Sequence, residues 1–401
     1  MDQVTRVTSQ GWGSRLGGSI KGIIVGILMV VAGVGLLFWG EGRAVKRAKA
    51  LDEGAGVVIT VAPTAPSAAN EGKLVHFTGT AEAFTPLRDE MFGVETPGLK
   101  LMREVEMYQW TEDEERQERK KVGGGTETVT TYTYERKWTS RTIDSSRFAE
   151  PAGHENPSSK PFDSKTVAAD PIVIGDWILG ASFVDDLNRS NRLEVGQSEL
   201  DRASEAFRSR LQLASGGFYL GTDPGNPQIG DVRVRFSVVS KAEVSVVGLQ
   251  QGQNLVPYTA KVGGDIALLD YGVKSAEQMF DAAKAGNTAL TWVLRFVGFF
   301  IIMIGFSTIL KPIVVLADVV PFLGNLAEKG IGLAAFGLAA VVALATIAVG
   351  WIFYRPLLGI ALFLVVGGLI YWLWKRAAAN PGIDKWTGQA PGAGPPPPPP
   401  A

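Results

Sequence analysis

The chain is predicted to be an α+β membrane protein, with four transmembrane helices set one before and three after a large β-rich domain. Three observations predict it. First, four long segments are nearly free of charge: Gly22–Gly40, Ile331–Phe353 and Leu357–Trp374 carry none, and Thr288–Leu310 carries only Arg295. Each approaches the ~20 residues that a helix needs to cross a hydrocarbon core of ~30 Å. A soluble core helix seldom stays uncharged that long, because one face must meet water. Second, the composition is 46% hydrophobic and 20% charged, too apolar for an ordinary soluble protein and too charged for a pure helical bundle. Third, residues 41–287, enough for one large or two small domains, read largely as short alternating strands.

Taken in chain order, residues 1–21 form a short N-terminal segment ending in Lys21. Gly22–Gly40 follows as span one. Its apolar run exceeds the 7–15 residues of a signal-peptide core, and the nearest cleavage-like triplet, Ala48-Lys49-Ala50, lies well past its end, so an uncleaved signal anchor is expected. Gly18, Gly22 and Gly26 recur every four residues and line one helix face with glycine. That spacing permits close helix contact, most simply within the bundle and alternatively between two copies of the chain.

The domain opens with β-type runs at Val57–Val61 and Lys73–Thr80. Leu101–Trp110 leads through the charged stretch Glu112–Lys121 to Gly123-Gly124-Gly125, and Thr126–Arg141 returns, a long hairpin with a solvated tip. Asp231–Ser240 alternates Val232, Val234, Phe236 and Val238 against Arg233 and Arg235, with Ala242–Gln250 and Asn254–Tyr258 as expected sheet neighbours. Ser198-Glu199-Leu200-Asp201 has capping-box spacing and places Ala203, Phe207 and Leu211 on one helix face. A second capping box, Ser275-Ala276-Glu277-Gln278, opens a helix that couples the domain to span two, Thr288–Leu310. Arg295 lies near the start of that span and reads as a snorkelling anchor, the alternative being a buried functional charge. Span three, Ile331–Phe353, and span four, Leu357–Trp374, are separated by Tyr354-Arg355-Pro356, a tight helical hairpin. Residues 375–401 form a tail that ends in six consecutive prolines, Pro395–Pro400, a solvated polyproline II segment.

Charge and composition exclude several functions. The net charge is −1; residues 1–40 contribute +2 and residues 288–401 contribute +4, so the middle domain carries −7. A nucleic-acid module would run basic, and nucleic-acid binding is rejected. Zero cysteines exclude disulfides, thiol catalysis and Cys-ligated zinc. His76 and His154 are the only histidines, few for a metal site, and no cofactor is expected. No G-x-S-x-G elbow, P-loop, H-E-x-x-H or strand-linked G-x-G-x-x-G occurs, so no enzyme is expected. Transport is poorly supported, since the spans offer no paired carboxylate and no inverted repeat.

Sidedness follows from basic residues near span ends. Lys375, Arg376, Lys311, Arg15 and Lys21 favour termini in the cytosol, whereas Arg43, Lys46, Arg47 and Lys49 argue the other way.

Several words of the chain, in order, resemble the transmembrane protein 43 family, also called LUMA. They are Val105-Glu106-Met107-Tyr108-Gln109-Trp110, Gly153-His154-Glu155-Asn156-Pro157-Ser158, Gly230-Asp231-Val232-Arg233-Val234, Leu255-Val256-Pro257-Tyr258, Ser275-Ala276-Glu277 and Gly350-Trp351-Ile352-Phe353-Tyr354-Arg355-Pro356. The resemblance runs from the first span to the fourth and leaves out the polyproline tail. It implies a large luminal or extracytoplasmic domain with both termini on the cytosolic side. It also implies residence in the endoplasmic reticulum and inner nuclear membrane in animals, association with emerin and lamins, self-association, envelope organisation and a link to lipid metabolism. The tail and composition give this chain the look of a bacterial member, which would place it in the inner membrane without emerin or lamin partners. The resemblance carries no catalytic residues. Tyr108, Gln109, Trp110, His154, Asn156, Pro157, Trp351, Tyr354, Arg355 and Pro356 are therefore family-motif positions without an assigned role.

The expected function is a membrane scaffold in contact with lipid, self-associating, with a protein partner for its ectodomain. The alternative is a lipid-handling or hydrolytic protein acting through His154 and nearby acids. A packed His154 favours the first, and a deep pocket joining His154 to a serine or carboxylate favours the second.

Overall fold

A computed structural model describes residues 2–64, 66–319 and 321–355, the backbone alone for 321–326, and isolated positions 368, 371 and 375. Strand β1, Asp2–Gln10, precedes helix α1, Trp12–Val57. The domain strands that matter most below are β2, Leu74–Glu82; β3, Lys100–Lys120; β4, Thr126–Thr139; β5, Val232–Val239; and β6, Ala242–Gln251. Two long helices close the described chain: α2, Ala276–Ala317, and α3, Pro321–Tyr354.

The domain is a pair of sheets over one core. An eight-stranded sheet runs β1-β4-β3-β5 and continues through Gly217–Leu220 to Leu211–Ala214. A seven-stranded sheet is centred on β6 and β2, antiparallel with Val246 opposite Phe77. Val105, Met107, Val232, Val234 and Phe236 of the first sheet bury against Val75, Phe77, Ile174, Trp177 and Val246 of the second. The inward alternation expected of β5 is present, with Val232, Val234, Phe236 and Val238 all buried. Its expected neighbour Ala242–Gln250 is a strand but crosses to the other sheet, after the short turn at Ser240-Lys241. Both strands are apolar on the core side, so the pattern cannot say on which side of the core each lies.

The sequence signals for helix ends have mixed outcomes. Ser275 Oγ accepts from Gln278 N at 3.2 Å while Gln278 Oε1 accepts from Ser275 N at 2.9 Å, a complete capping box. Around residue 200 the expected single helix is two short ones, Gln197–Arg202 and Glu205–Arg208. Glu199 reaches back to Gly196 N at 2.8 Å, so the cap is Gly196 and not Ser198, and Leu211 already starts a strand.

Three helices, α1, α2 and Ala327–Tyr354 of α3, are long and apolar enough to cross a membrane. They form a bundle. The α1 and α2 helices run antiparallel at close range: a Cβ on Gly26 would lie 2.7 Å from Gly305 O, and one on Gly33 would lie 2.6 Å from Ile302 Cγ1. Leu37, Ile302, Ala339 and Ala343 make the three-helix core. The expected fourth span, Leu357–Trp374, and the tail lie outside the described residues. Toward the domain, α1 and α2 continue as helix past the apolar segments, and Leu51, Met279 and Phe280 pack with Leu74, Val247 and Ile266. The first two spans are thus joined to the sandwich by unbroken helix.

Two features differ from expectation. The hairpin tip is not simply solvated: Lys120 Nζ lies 2.9 Å from Asp318 Oδ1 and 2.7 Å from Glu328 Oε2, and Gly123 N donates to Val319 O. Asp113–Arg119 and Lys121–Gly123 are exposed, and Lys120 is the partly covered residue between them. In addition, β1 pairs with β4 over nine residues, from Asp2 opposite Tyr134 to Gln10 opposite Thr126. Residues 2–10 therefore share a sheet with the domain, whereas the span at 22–40 was expected to separate them. A bilayer cannot lie between hydrogen-bonded strands.

Candidate functional site

The words Val105–Trp110, Gly153–Ser158 and Gly230–Val234, far apart in the chain, meet at one place. Strand β3 presents Tyr108, Gln109 and Trp110. Trp110 N donates to Asn156 Oδ1 at 2.8 Å, and Asn156 Nδ2 donates to Trp110 O at 3.0 Å, so one amide side chain mimics a strand partner. Gln109 is fully buried. Its Nε2 donates to Thr139 Oγ1 at 2.6 Å and to Arg141 O at 3.0 Å, and its Oε1 accepts from Ile143 N. Tyr108 packs on Trp138, and its carbonyl accepts from Gly230 N at 2.9 Å. Gly230 has φ +95°, and a Cβ there would meet Pro157 at 3.2 Å, which accounts for the glycine.

His154 is buried in the same cluster, stacked on Tyr134 at 3.8 Å between ring centroids and edge-on to Trp110 at 4.8 Å. Its Nδ1 lies 2.9 Å from Glu150 O, so Nδ1 carries the proton and donates. Nε2 lies 3.4 Å from Asp2 Oδ2 of β1. Beside it, Tyr134 OH donates to Glu112 Oε2 at 2.6 Å and accepts from Glu150 N at 2.9 Å. Desolvation, and secondarily the Glu112 carboxylate, push the Tyr134 phenol up to about 12. A nearby surface cavity of about 520 Å³ is lined by Asp2, Tyr108, Trp110 and Tyr134, but not by His154. The one serine tied to the cluster, Ser145, has its Oγ accepting from Asn156 N. Chemically this is a packed pin that fixes the loop 140–158 on the hairpin base. No group of three side chains able to hold a metal occurs among the described residues.

The other motif positions lie in the membrane bundle. Trp351 Nε1 donates to Glu41 Oε2 at 3.0 Å. Tyr354 packs on Phe38 at 5.2 Å and fills the space over Gly42, where a Cβ would lie 2.6 Å from its ring. Arg355 is exposed, and Pro356 lies outside the described residues. Of the glycine stripe, Gly18 has nothing within 4 Å, Gly22 faces Thr308 at 3.4 Å, and Gly26 is the close contact described above.

Sequence reasoning missed Glu41 and misread Arg295. Glu41 is buried at 3% exposure, and Arg295 Nε donates to its Oε1 at 2.7 Å, with the guanidinium 4.9 Å from the Trp292 ring centroid. Arg295 is thus a paired group and not a free anchor. The signal was available: Glu41 sits just beyond span one and Arg295 just inside span two, at matching depth in antiparallel helices.

A β-sandwich joined by continuous helices to an apolar bundle, with His154 packed in a structural pin, defines a multi-pass membrane protein with a large β-rich domain. A sequence profile described as Transmembrane protein 43 matches residues 107–356. Transmembrane protein 43 of Mus musculus is 33% identical over 368 residues, covering 88% of this chain and 90% of the mouse protein. The Homo sapiens protein gives the same figures, and the Transmembrane protein 43 homolog of Drosophila melanogaster is 34% identical, covering 88% of this chain and 94% of its own. No solved structure matches. The chain belongs to the transmembrane protein 43 family.

Proposed function

We propose that this protein is a membrane-organising scaffold whose spans set the position of a rigid ectodomain that binds a protein partner. The observation that carries the reading is mechanical. Helices α1 and α2 pass without a break from the bundle into the sandwich, where Leu51, Met279 and Phe280 are locked into a core with Leu74 and Val247. Movement of the domain is therefore coupled to the spans. The motif residues support the same reading, because the side chains of Gln109, Asn156 and His154 are spent on internal contacts. Lipid, a second copy of the chain and an ectodomain partner are the proposed associates. The membrane is the bacterial inner membrane for a bacterial chain, or the endoplasmic reticulum and inner nuclear membrane for a eukaryotic one.

The proposed orientation keeps both termini in the cytosol and residues 41–287 outside, supported by Lys375 and Arg376 after the last apolar run. It requires β1 to leave β4, and the hairpin tip at Lys120 and Gly123 to leave Asp318, Glu328 and Val319, in the inserted protein. The charged arm Glu112–Lys121 is costly beside lipid, which favours that release. Reporters at Gly124 and Pro391 should fall in opposite compartments, and a Thr5→Cys/Thr131→Cys pair, opposed in the ladder, should not cross-link in membranes. A common compartment, or ready cross-linking, refutes the orientation. For the scaffold itself, two glycines inserted after Lys49 should leave the domain folded and inserted but dissolve cross-linked complexes from native membranes. Ester or phospholipid hydrolysis by the purified chain, abolished by His154→Ala, would instead establish the hydrolytic alternative.

A further inference from the structure

We propose that a cavity of about 370 Å³ at the domain-facing end of the bundle seats the phosphate of an anionic glycerophospholipid from the adjoining leaflet. The inference rests on α1, α2 and α3 lying in a bilayer. The cavity opens where the apolar segments end, between Glu41 and Asp52 of α1, Lys284 to Arg295 of α2, and Trp351 and Arg355 beyond them. Its central group is Arg295. Only Nε is committed to protein, to the buried Glu41 carboxylate. The guanidinium lies over Trp292 at 4.9 Å and Trp351 at 5.8 Å, so its plane is held. The two terminal nitrogens have no hydrogen-bond partner among the described residues and are not sealed from solvent. They are therefore a fixed fork of donors directed at an open cavity, the arrangement that suits a phosphate or carboxylate.

Arg355 lines the same cavity, is exposed, and has no ion pair among the described residues. On the wall Lys284 pairs with Asp52 at 2.7 Å and Arg295 with Glu41 at 2.7 Å, so Arg355 is left as the wall's one uncompensated charge among the described residues, and the cavity favours an anion. The surroundings point to lipid as its source. Trp39, Trp292 and Trp351 are 57%, 52% and 37% exposed at the ends of three different spans, the position of an interfacial aromatic belt. Trp292, Phe296 and Phe300 continue as an exposed stripe at helical spacing along α2, away from the cavity and into the apolar segment, a track for an acyl chain.

The test uses the full chain purified in mild detergent and native mass spectrometry with phosphatidylglycerol, phosphatidylcholine and diacylglycerol. Phosphatidylglycerol should be retained most tightly. Arg355→Gln removes an exposed side chain without a protein partner, so its melting temperature should match the wild type while phosphatidylglycerol affinity falls about tenfold, the loss of one charge-assisted contact. Glu41→Gln with Arg295→Gln keeps the buried pair neutral and should lose selectivity for phosphatidylglycerol over diacylglycerol. Unchanged affinity in both variants overturns the proposal, as does equal retention of diacylglycerol. Equal retention of phosphatidylcholine overturns the anionic headgroup, and displacement of lipid by millimolar inorganic phosphate overturns lipid as the source. None of these results bears on the scaffold reading, which is decided by cross-linked complexes.

Discussion

A graded substitution series along α1 tests whether its glycines pack within one chain. Replacing glycine by alanine inside a helix favours folding by about 0.8–1 kcal/mol through backbone entropy, wherever the methyl group has space. Gly18 and Gly35 have nothing within 4 Å, so Gly18→Ala and Gly35→Ala should stabilise or leave the protein unchanged. Gly22 meets Thr308 Cγ2 at 3.4 Å, an ordinary contact, and Gly22→Ala should be near neutral. Gly26 is different. Its added Cβ would lie 2.7 Å from Gly305 O, a backbone atom that cannot swing aside, and 2.7 Å from Ile309 Cγ1. The helices must part, and overpacking of this kind costs about 1–3 kcal/mol, enough to reverse the propensity gain. Gly26→Leu should exceed that, because bilayer helices are held by fit, and lipid tails do not replace lost van der Waals contact. The assay is thermal melting in detergent together with cross-linking in membranes. The expected order of stability is Gly18→Ala above Gly22→Ala above Gly26→Ala, with dimer yield unchanged by all three. Equal effects at Gly18 and Gly26, or loss of cross-linked dimers with an unchanged melting temperature, would refute the internal packing argument.

Three further outcomes follow from the buried polar groups. His154→Ala removes the stack on Tyr134 and the bond to Glu150 O, and should lower stability by about 2–3 kcal/mol in denaturant titration without removing any specific turnover. Glu41→Ala leaves Arg295 and Trp351 without their acceptor and should cost about 3–5 kcal/mol, whereas Glu41→Gln with Arg295→Gln should recover part of that loss in the same melting assay. Burial pushes the His76 imidazole below its usual value of 6.5, outweighing the opposing bond to Lys274 O. The unfolded chain therefore takes up the proton first as pH falls. Stability from His76 is complete above pH 6.5 and declines below it, toward the lower folded value, and His76→Gln should flatten melting temperature against pH in that window.

Local signals sufficed wherever a feature is repetitive along the chain. Three of the four apolar segments lie within long helices, the alternation of Val232 to Val238 is a buried strand face, and Ser275 with Gln278 closes a capping box, because each depends on residues a few positions apart. Choices between equal local alternatives were made elsewhere. Strand β6 pairs with β2 in the second sheet and not beside β5, since a strand apolar on its core side satisfies either layer. The hairpin tip finds Asp318, nearly two hundred residues later, and β1 finds the edge of β4. The candidate lipid seat depends on Glu41 meeting Arg295 and Trp351 at one depth, 254 and 310 residues away. The sequence by itself determined which segments avoid water, because hydrophobicity is a property of each residue and its near neighbours. Only the tertiary structure decided which charges are neutralised in the places water leaves, because a buried charge is stable only beside a partner that folding brings there.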